Sequence, residues 1–328
     1  MSAHDLVGIG NAMVDVLATV DDAFLREQSL EKGAMTLMDT DRAREIYAKM
    51  PVGQEVSGGS CGNTMAGFAS LGGRGAFIGK VRDDPLGNVF RHDMKSIGVD
   101  FLTAATTEGP PTGSCLVLIT PDAQRTMCTN LGAASNLTPQ DIDKDLIKSA
   151  KVVYMEGYLF DPPDAQAAFI EAADVSHIVG GKVAITLSDP FCVDRHRNAF
   201  QTLVADHADI LFGNEEEIKS LYQVDDFESA MRHVCGQCEI ICLTRGPKGS
   251  VILSGDEVNI IDPLPLDAVV DTTGAGDLYA AGVLYGLTQG YELAVAGRIG
   301  SICAAEVISH YGARPEESLK DLVKEKLG

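Results

Sequence analysis

Asp271-Thr272-Thr273-Gly274-Ala275-Gly276-Asp277 is the most informative stretch of this 328-residue chain. It follows the apolar run Ala268-Val269-Val270 and opens a segment of helical spacing that carries Leu278, Gly282 and Leu287. Glycines at 274 and 276 let the backbone approach a ligand closely and adopt torsions that other residues avoid. The first N–H groups of a helix lack intrahelical partners, and that end of the dipole is positive. Together they make a pocket for an anion, best a phosphate in transfer. Asp277 would repel phosphate in a site that only binds anions. It makes sense as a base taking a proton from an attacking hydroxyl, because phosphoryl transfer otherwise needs positioning and charge neutralisation. Spacing alone equally allows a Gly-rich helix start with an aspartate favoured by the dipole.

Upstream, apolar runs lie at Leu6–Gly10, Ala76–Val81, Val152–Met155, Val183–Leu187, Ile210–Phe212 and Ile240–Leu243. Segments of helical spacing separate them: Asn63–Leu71, Gly87–Ile97, Pro163–Val179, Arg195–Ala205, Glu215–Leu221 and Phe227–Cys235. Strands alternating with helices predict an α/β fold with a mostly parallel sheet covered on both faces. A hairpin follows at Ser250–Leu253 and Glu257–Ile261, then helices over Ala275–Thr288 and Leu293–Ser309. Residues about 14–50 and about 99–130 break the rhythm with strand-like alternation, as in Ser114–Thr120 and Gln124–Thr129 around the Pro121-Asp122 turn. They predict a small antiparallel sheet, discontinuous in sequence, that acts as a lid on a large domain of about 1–13, 51–98 and 131–328. Its edges could pair with a second copy as a homodimer.

The composition excludes several roles. Lys plus Arg is 26 against 47 for Asp plus Glu, a formal net charge of −21. Such a surface repels nucleic-acid phosphates and anionic lipid. No apolar run reaches the length of a membrane span, and Met1-Ser2-Ala3-His4-Asp5 has no signal-peptide character. Eight cysteines are too few for a disulfide scaffold, and free thiols point to the cytoplasm. Cys235-x-x-Cys238 has no second pair to complete a zinc site. The P-loop pattern is absent, and Met13 stands where a dinucleotide fold would place its third glycine after Gly8-Ile9-Gly10.

The Asp271–Asp277 segment resembles the C-terminal signature of the ribokinase-like (PfkB) carbohydrate and nucleoside kinases. Gly58-Gly59-Ser60-Cys61-Gly62-Asn63 is similar to that family's G-G-x-x-x-N segment, and Asn214-Glu215-Glu216-Glu217 to its N-x-x-E motif. Leu71-Gly72-Gly73 and Gly79-Lys80-Val81-Arg82-Asp83-Asp84-Pro85-Leu86-Gly87 are also family-like. These motifs span nearly the whole chain in the family's order. The resemblance implies a three-layer α/β/α kinase with a β-sheet lid that uses ATP and Mg²⁺ on a small-molecule nucleoside or sugar. Asp277 would be the catalytic base, with Gly274, Ala275 and Gly276 forming the anion hole. Asp15, Asn63, Gly58 and Gly59 would hold sugar hydroxyls. Asn214 and Glu217 would organise Mg²⁺ through water near the phosphates. As a bare pattern, though, N-x-x-E is also a helix cap with its carboxylate. Thr244, Gly246 and Gly249 would contact the nucleotide. Ser301 would lie near adenine, where relatives often have Asn. Asp271 and Thr273 match part of a K⁺ site that would be completed by carbonyls of Ile308, Tyr311 and Ala313.

The lid segment Arg125–Ala134 is more similar to adenosine kinases than to ribokinases. Arg125 would swing over the phosphates, and Phe101, Leu116, Leu118, Leu17 and Met38 are candidates to face a nucleobase. The expected reaction is ATP-dependent phosphorylation of the adenosine 5′-hydroxyl to AMP. A free sugar such as ribose or fructose is the alternative acceptor.

Overall fold

The computed structural model describes residues 3–122, 124–266 and 268–328; Met1 and Ser2 lie outside them. β1 (His4–Ile9) starts a large sheet. β2 (Met13–Thr19), α1 (Asp22–Glu27), β3 (Met35–Leu37), α2 (Thr40–Lys49) and β4 (Gln54–Gly58) then leave it for a second, smaller one. The chain returns through α3 (Ser60–Ser70), β5 (Gly75–Ile78), α4 (Pro85–Ser96) and β6 (Val99–Phe101), and departs again for β7 (Gly113–Ile119) and β8 (Arg125–Asn130). The remainder is α5 (Lys144–Lys148), β9 (Ala150–Glu156), α6 (Pro163–Ile178), β10 (Lys182–Thr186), α7 (Pro190–Asp206), β11 (Ile210–Asn214), α8 (Glu215–Tyr222), α9 (Phe227–Val234), β12 (Ile240–Thr244), β13 (Ser250–Ser254), β14 (Glu257–Ile261), α10 (Ala275–Thr288), α11 (Leu293–Val307) and α12 (Leu319–Leu327).

The large sheet runs β14-β13-β12-β11-β10-β9-β1-β5-β6. Its strands are parallel from β6 to β12, and the β13–β14 hairpin adds an antiparallel edge. Side-chain alternation sends the two halves of each strand to different cores. Val7, Val153, Ile185 and Leu211 pack under α6–α9. Leu6, Tyr154, Ala184 and Phe212 pack under α3, α4 and α10. The predicted core of helices on both faces of a mostly parallel sheet is therefore present. The helix expected at Arg195–Ala205 begins earlier, at Pro190, and bends at His196. Among the described residues no helix is long and apolar enough to cross a membrane.

The small sheet differs from its expected form. Its order is β3-β8-β7-β2-β4, and it is mixed rather than antiparallel. β2 runs parallel to β7, and β3 to β8, because each pair joins strands from different insertions instead of a hairpin. β4 belongs to this sheet and β6 to the large one, so the switch points fall beyond residues 50 and 99. One face packs Val16, Leu116, Leu118 and Cys128 against Leu25 and Ile46. The opposite face carries Asp15.

Candidate active site

α10 starts with Gly274 in the left-handed region at φ +79° and has no side-chain cap. A side chain there would be strained, and its Cβ would lie 2.8 Å from Ala313 Cβ. A Cβ on Gly276 would meet nothing within 4 Å, so this helix tip faces open space. The Ala275 N–H donates to the Thr272 carbonyl at 3.2 Å, so the amides of Gly274 and Gly276 are the ones that can receive an anion from that side.

Asp277 sits in the first turn, where α10 packs on α3. Its Oδ1 accepts the Ser60 hydroxyl at 2.7 Å, and its Oδ2 accepts Asn63 Nδ2 at 2.9 Å. Burial pushes this carboxyl above the usual aspartate range; Ser60, Asn63 and the Arg314 charge pull it partly back. A buried carboxylate with raised affinity for a proton suits a base. Asn63 Oδ1 is buried with no partner.

Asp15 on β2 lies against Gly58 at the end of β4; a Cβ at 58 would lie 2.4 Å from Asp15 Oδ2. Burial pushes Asp15 up to about 6, while the Arg314 and Arg125 charges lower it. Arg314 is itself brought down to about 10 by burial, against the pull of Asp15, Asp93 and Asp277. It donates to the Ser57 carbonyl at 2.8 Å, behind the two aspartates. Gly59 is the N-cap of α3 and supplies no side-chain cap. The cap comes instead from Glu156, which ends β9: it accepts Cys61 N–H at 2.8 Å and Asn11 Nδ2 at 2.7 Å. Burial raises Glu156 to about 7.

At the tip of β11, Asn214 and Glu217 form a full capping box. Asn214 Oδ1 accepts N–H of Glu217 at 2.9 Å, and Glu217 Oε2 accepts N–H of Asn214 at 2.9 Å. The helix-cap role is thus realised. Glu217 is also buried, raised to about 7 chiefly by that burial, and senses Asp189 and Asp277. Thr244 is in register with Asn214 on the neighbouring strand, and the turn holding Gly246 and Gly249 follows it. Ser301 is buried on α11.

Arg125 reaches from β8 to the 271–277 segment, where Nη1 lies 2.6 Å from Asp271 Oδ2. Phe101, Leu116 and Leu118 face elsewhere. Phe101 packs on Phe77 and Phe90, and the two leucines join the core on the far side of the small sheet. Met38 packs against that far-side core as well. Leu17 shares Asp15's face, and the register sets Leu17 beside Val117 and Val117 beside Met127. Motif reading missed Ser60, Glu156 and Arg314. Ser60 lay inside the quoted glycine motif; Glu156 and Arg314 carried no local signal. Among the described residues, no group of three or more His, Cys, Asp or Glu is placed to hold a metal ion, and the cysteines are all free.

The model of the pfkB family carbohydrate kinases matches residues 6–319. The adenosine kinase of Saccharomyces cerevisiae is 29% identical over 338 residues, covering 96% of this chain and 98% of that protein. A probable sugar kinase from Rhizobium etli has a TM-score of 0.92 at 43% identity over 99% of both chains. The adenosine kinase from Sinorhizobium meliloti has a TM-score of 0.91 at 44% identity, covering 98% of this chain and 99% of that one.

Proposed function

The chain belongs to the PfkB family of carbohydrate kinases, with the ribokinase-like fold, and on that premise we propose that it transfers the γ-phosphoryl of ATP to the 5′-hydroxyl of adenosine, giving AMP. Kinases of this family in general use ATP with Mg²⁺ and act on small molecules such as sugars or nucleosides. The residues fit a nucleotide phosphate: the α10 tip is uncapped and opens onto free space at Gly276. Asn214 and Glu217 would hold Mg²⁺ through water, since both Glu217 oxygens already accept hydrogen bonds from Asn214. Bound there, Mg²⁺ would neutralise charge on the phosphates.

The observation that carries the nucleoside reading is the composition of one sheet face. Asp15 is an acceptor for sugar hydroxyls, and charged acceptors make the stronger bonds. Two residues further along β2, roughly 7 Å away, Leu17 begins the row Leu17-Val117-Met127 across three strands. A ribose on Asp15 would therefore leave its base against a flat apolar strip. A free sugar would leave that strip unused.

In the reaction, Asp277 takes the proton from the acceptor hydroxyl. Ser60 and Asn63 occupy one lone pair on each of its oxygens and orient it; the remaining lone pairs face the hydroxyl. The amides of Gly274 and Gly276 gather the charge that develops on the transferred group, joined by that of Ala275 if it lets go of the Thr272 carbonyl. Thr244, Gly246, Gly249 and Ser301 are assigned to the nucleotide side, and Gly58, Gly59 and Asn63 to the acceptor side.

A coupled assay across adenosine, other nucleosides, ribose and fructose tests the reading. Adenosine should be the best acceptor by kcat/KM. Brisk turnover of a free sugar with none of adenosine would transfer the assignment to the sugar, the reading that the resemblance to the Rhizobium etli probable sugar kinase favours.

A further inference from the structure

The family resemblance implies a monovalent cation beside the 271–277 segment, but two of its expected donors, the Asp271 carboxylate and the Ile308 carbonyl, are already saturated here. A carboxylate offers about four lone-pair sites. In Asp271 all are engaged: Oδ1 accepts Thr273 N–H at 3.1 Å and the Thr273 hydroxyl at 2.7 Å, while Oδ2 accepts Gly312 N–H at 3.0 Å and pairs with Arg125 Nη1 at 2.6 Å. The Ile308 carbonyl, another expected ligand, accepts N–H of Val270 at 2.8 Å and of Asp271 at 3.4 Å. A cation could reach the Asp271 carboxylate only by displacing a positive charge already in place.

That charge is well seated. The Arg125 and Asp271 side chains are 12% and 10% exposed. The guanidinium also lies 5.5 Å from the centre of the Tyr311 ring. It thus touches both segments that frame the anion loop, the one holding Asp271 and the one whose Ala313 backs Gly274. Its Nε and Nη2 are buried without hydrogen-bond partners.

We propose that Arg125 replaces the monovalent cation of the anion loop. It is a positioning residue, carried by the small sheet, that orders the loop when this sheet closes over the large domain. Loop order is then coupled to closure and indifferent to potassium. The proposal rests on the kinase reading but not on the choice of acceptor.

The test uses the full chain and whichever acceptor is turned over, in potassium, sodium or tetramethylammonium chloride at equal ionic strength. Thermal unfolding without nucleotide is followed in the same salts. Wild-type kcat/KM and Tm should not differ among the three. Arg125→Gln should lose about 5- to 150-fold in kcat/KM, the usual range for coupled sites, and added guanidinium or potassium should restore part of it. Several-fold stimulation of the wild type by potassium, a higher Tm in potassium than in tetramethylammonium, or a variant indifferent to every added cation would overturn the proposal. If Arg125→Gln does not fold, the wild-type salt series still decides. If no acceptor is phosphorylated, the kinase reading fails separately, and the melting series still reports on the cation.

Discussion

Asp277 receives both of its side-chain hydrogen bonds from α3, so the proposed base is aimed by a helix that is distant in sequence. This division of labour makes a sharp prediction. Asp277→Asn keeps the shape, requires only that the Ser60 hydroxyl turn from donor to acceptor, and cannot take a proton. Turnover should drop about 10²- to 10⁴-fold, while ATP binding measured by titration calorimetry stays close to wild type. Near-normal turnover would remove the base assignment. The pH profile follows the same group. Because burial raises the Asp277 pKa, and only the ionised form is a base, the rate should fall on the acid side at a higher pH than an ordinary aspartate would give. An acid limb in kcat that persists unchanged in Asp277→Asn would assign that limb to another group.

The element that decides the site is the α3–α10 pair. α3 carries Ser60 and Asn63, and α10 carries Asp277 and the amides of the proposed anion hole. They approach closely at Gly67, where a Cβ would lie 2.4 Å from Leu278 Cδ1 and 2.9 Å from Ala281 Cβ. Gly67→Val should wedge them apart. We expect a stability loss of about 1–3 kcal/mol from overpacking. We also expect a fall in kcat of up to about 10²-fold, because a misplacement of about 1 Å is enough for that. Residue 67 has no role in binding, so a kcat loss that leaves the KM for ATP unchanged would mark misalignment. Loss of stability with unaltered kcat would show that the two helices do not set the geometry.

At the scale of the whole molecule, acidic groups converge where the two sheets meet. Glu156 and Glu217 each rise from 4.5 to about 7 on burial, and Asp15 rises from 3.8 to about 6. The folded chain therefore holds protons that the unfolded chain releases. Stability from this source is complete below the unfolded values and is lost as pH climbs towards about 7. The Tm of the ligand-free protein should decline across that interval, and Glu156→Gln should flatten part of the slope. A wild-type Tm that rises steadily over the same interval would contradict the burial of these carboxylates.

The layered core and the glycine-rich start of α10 were legible in the residues themselves. Apolar runs of strand length, separated by helical periodicity, can bury their side chains only in a two-sided parallel sheet. A glycine-flanked helix start with Asp277 is written in seven consecutive positions, and the proposed role of that aspartate came from the family resemblance. Backbone torsion and periodicity are local properties, and a sequence displays them directly. Tertiary structure alone settled the rest. It built a mixed small sheet from strands drawn from separate insertions, because pairing between remote strands leaves no periodic mark. It turned Leu116 and Leu118 away from the site and Leu17 towards it, since a one-residue step in register reverses the face. It also brought Glu156 to cap α3, and Arg125 to pair with Asp271 across 146 positions of chain. Such contacts depend on where the fold sets two distant segments, and neither segment encodes the other's position.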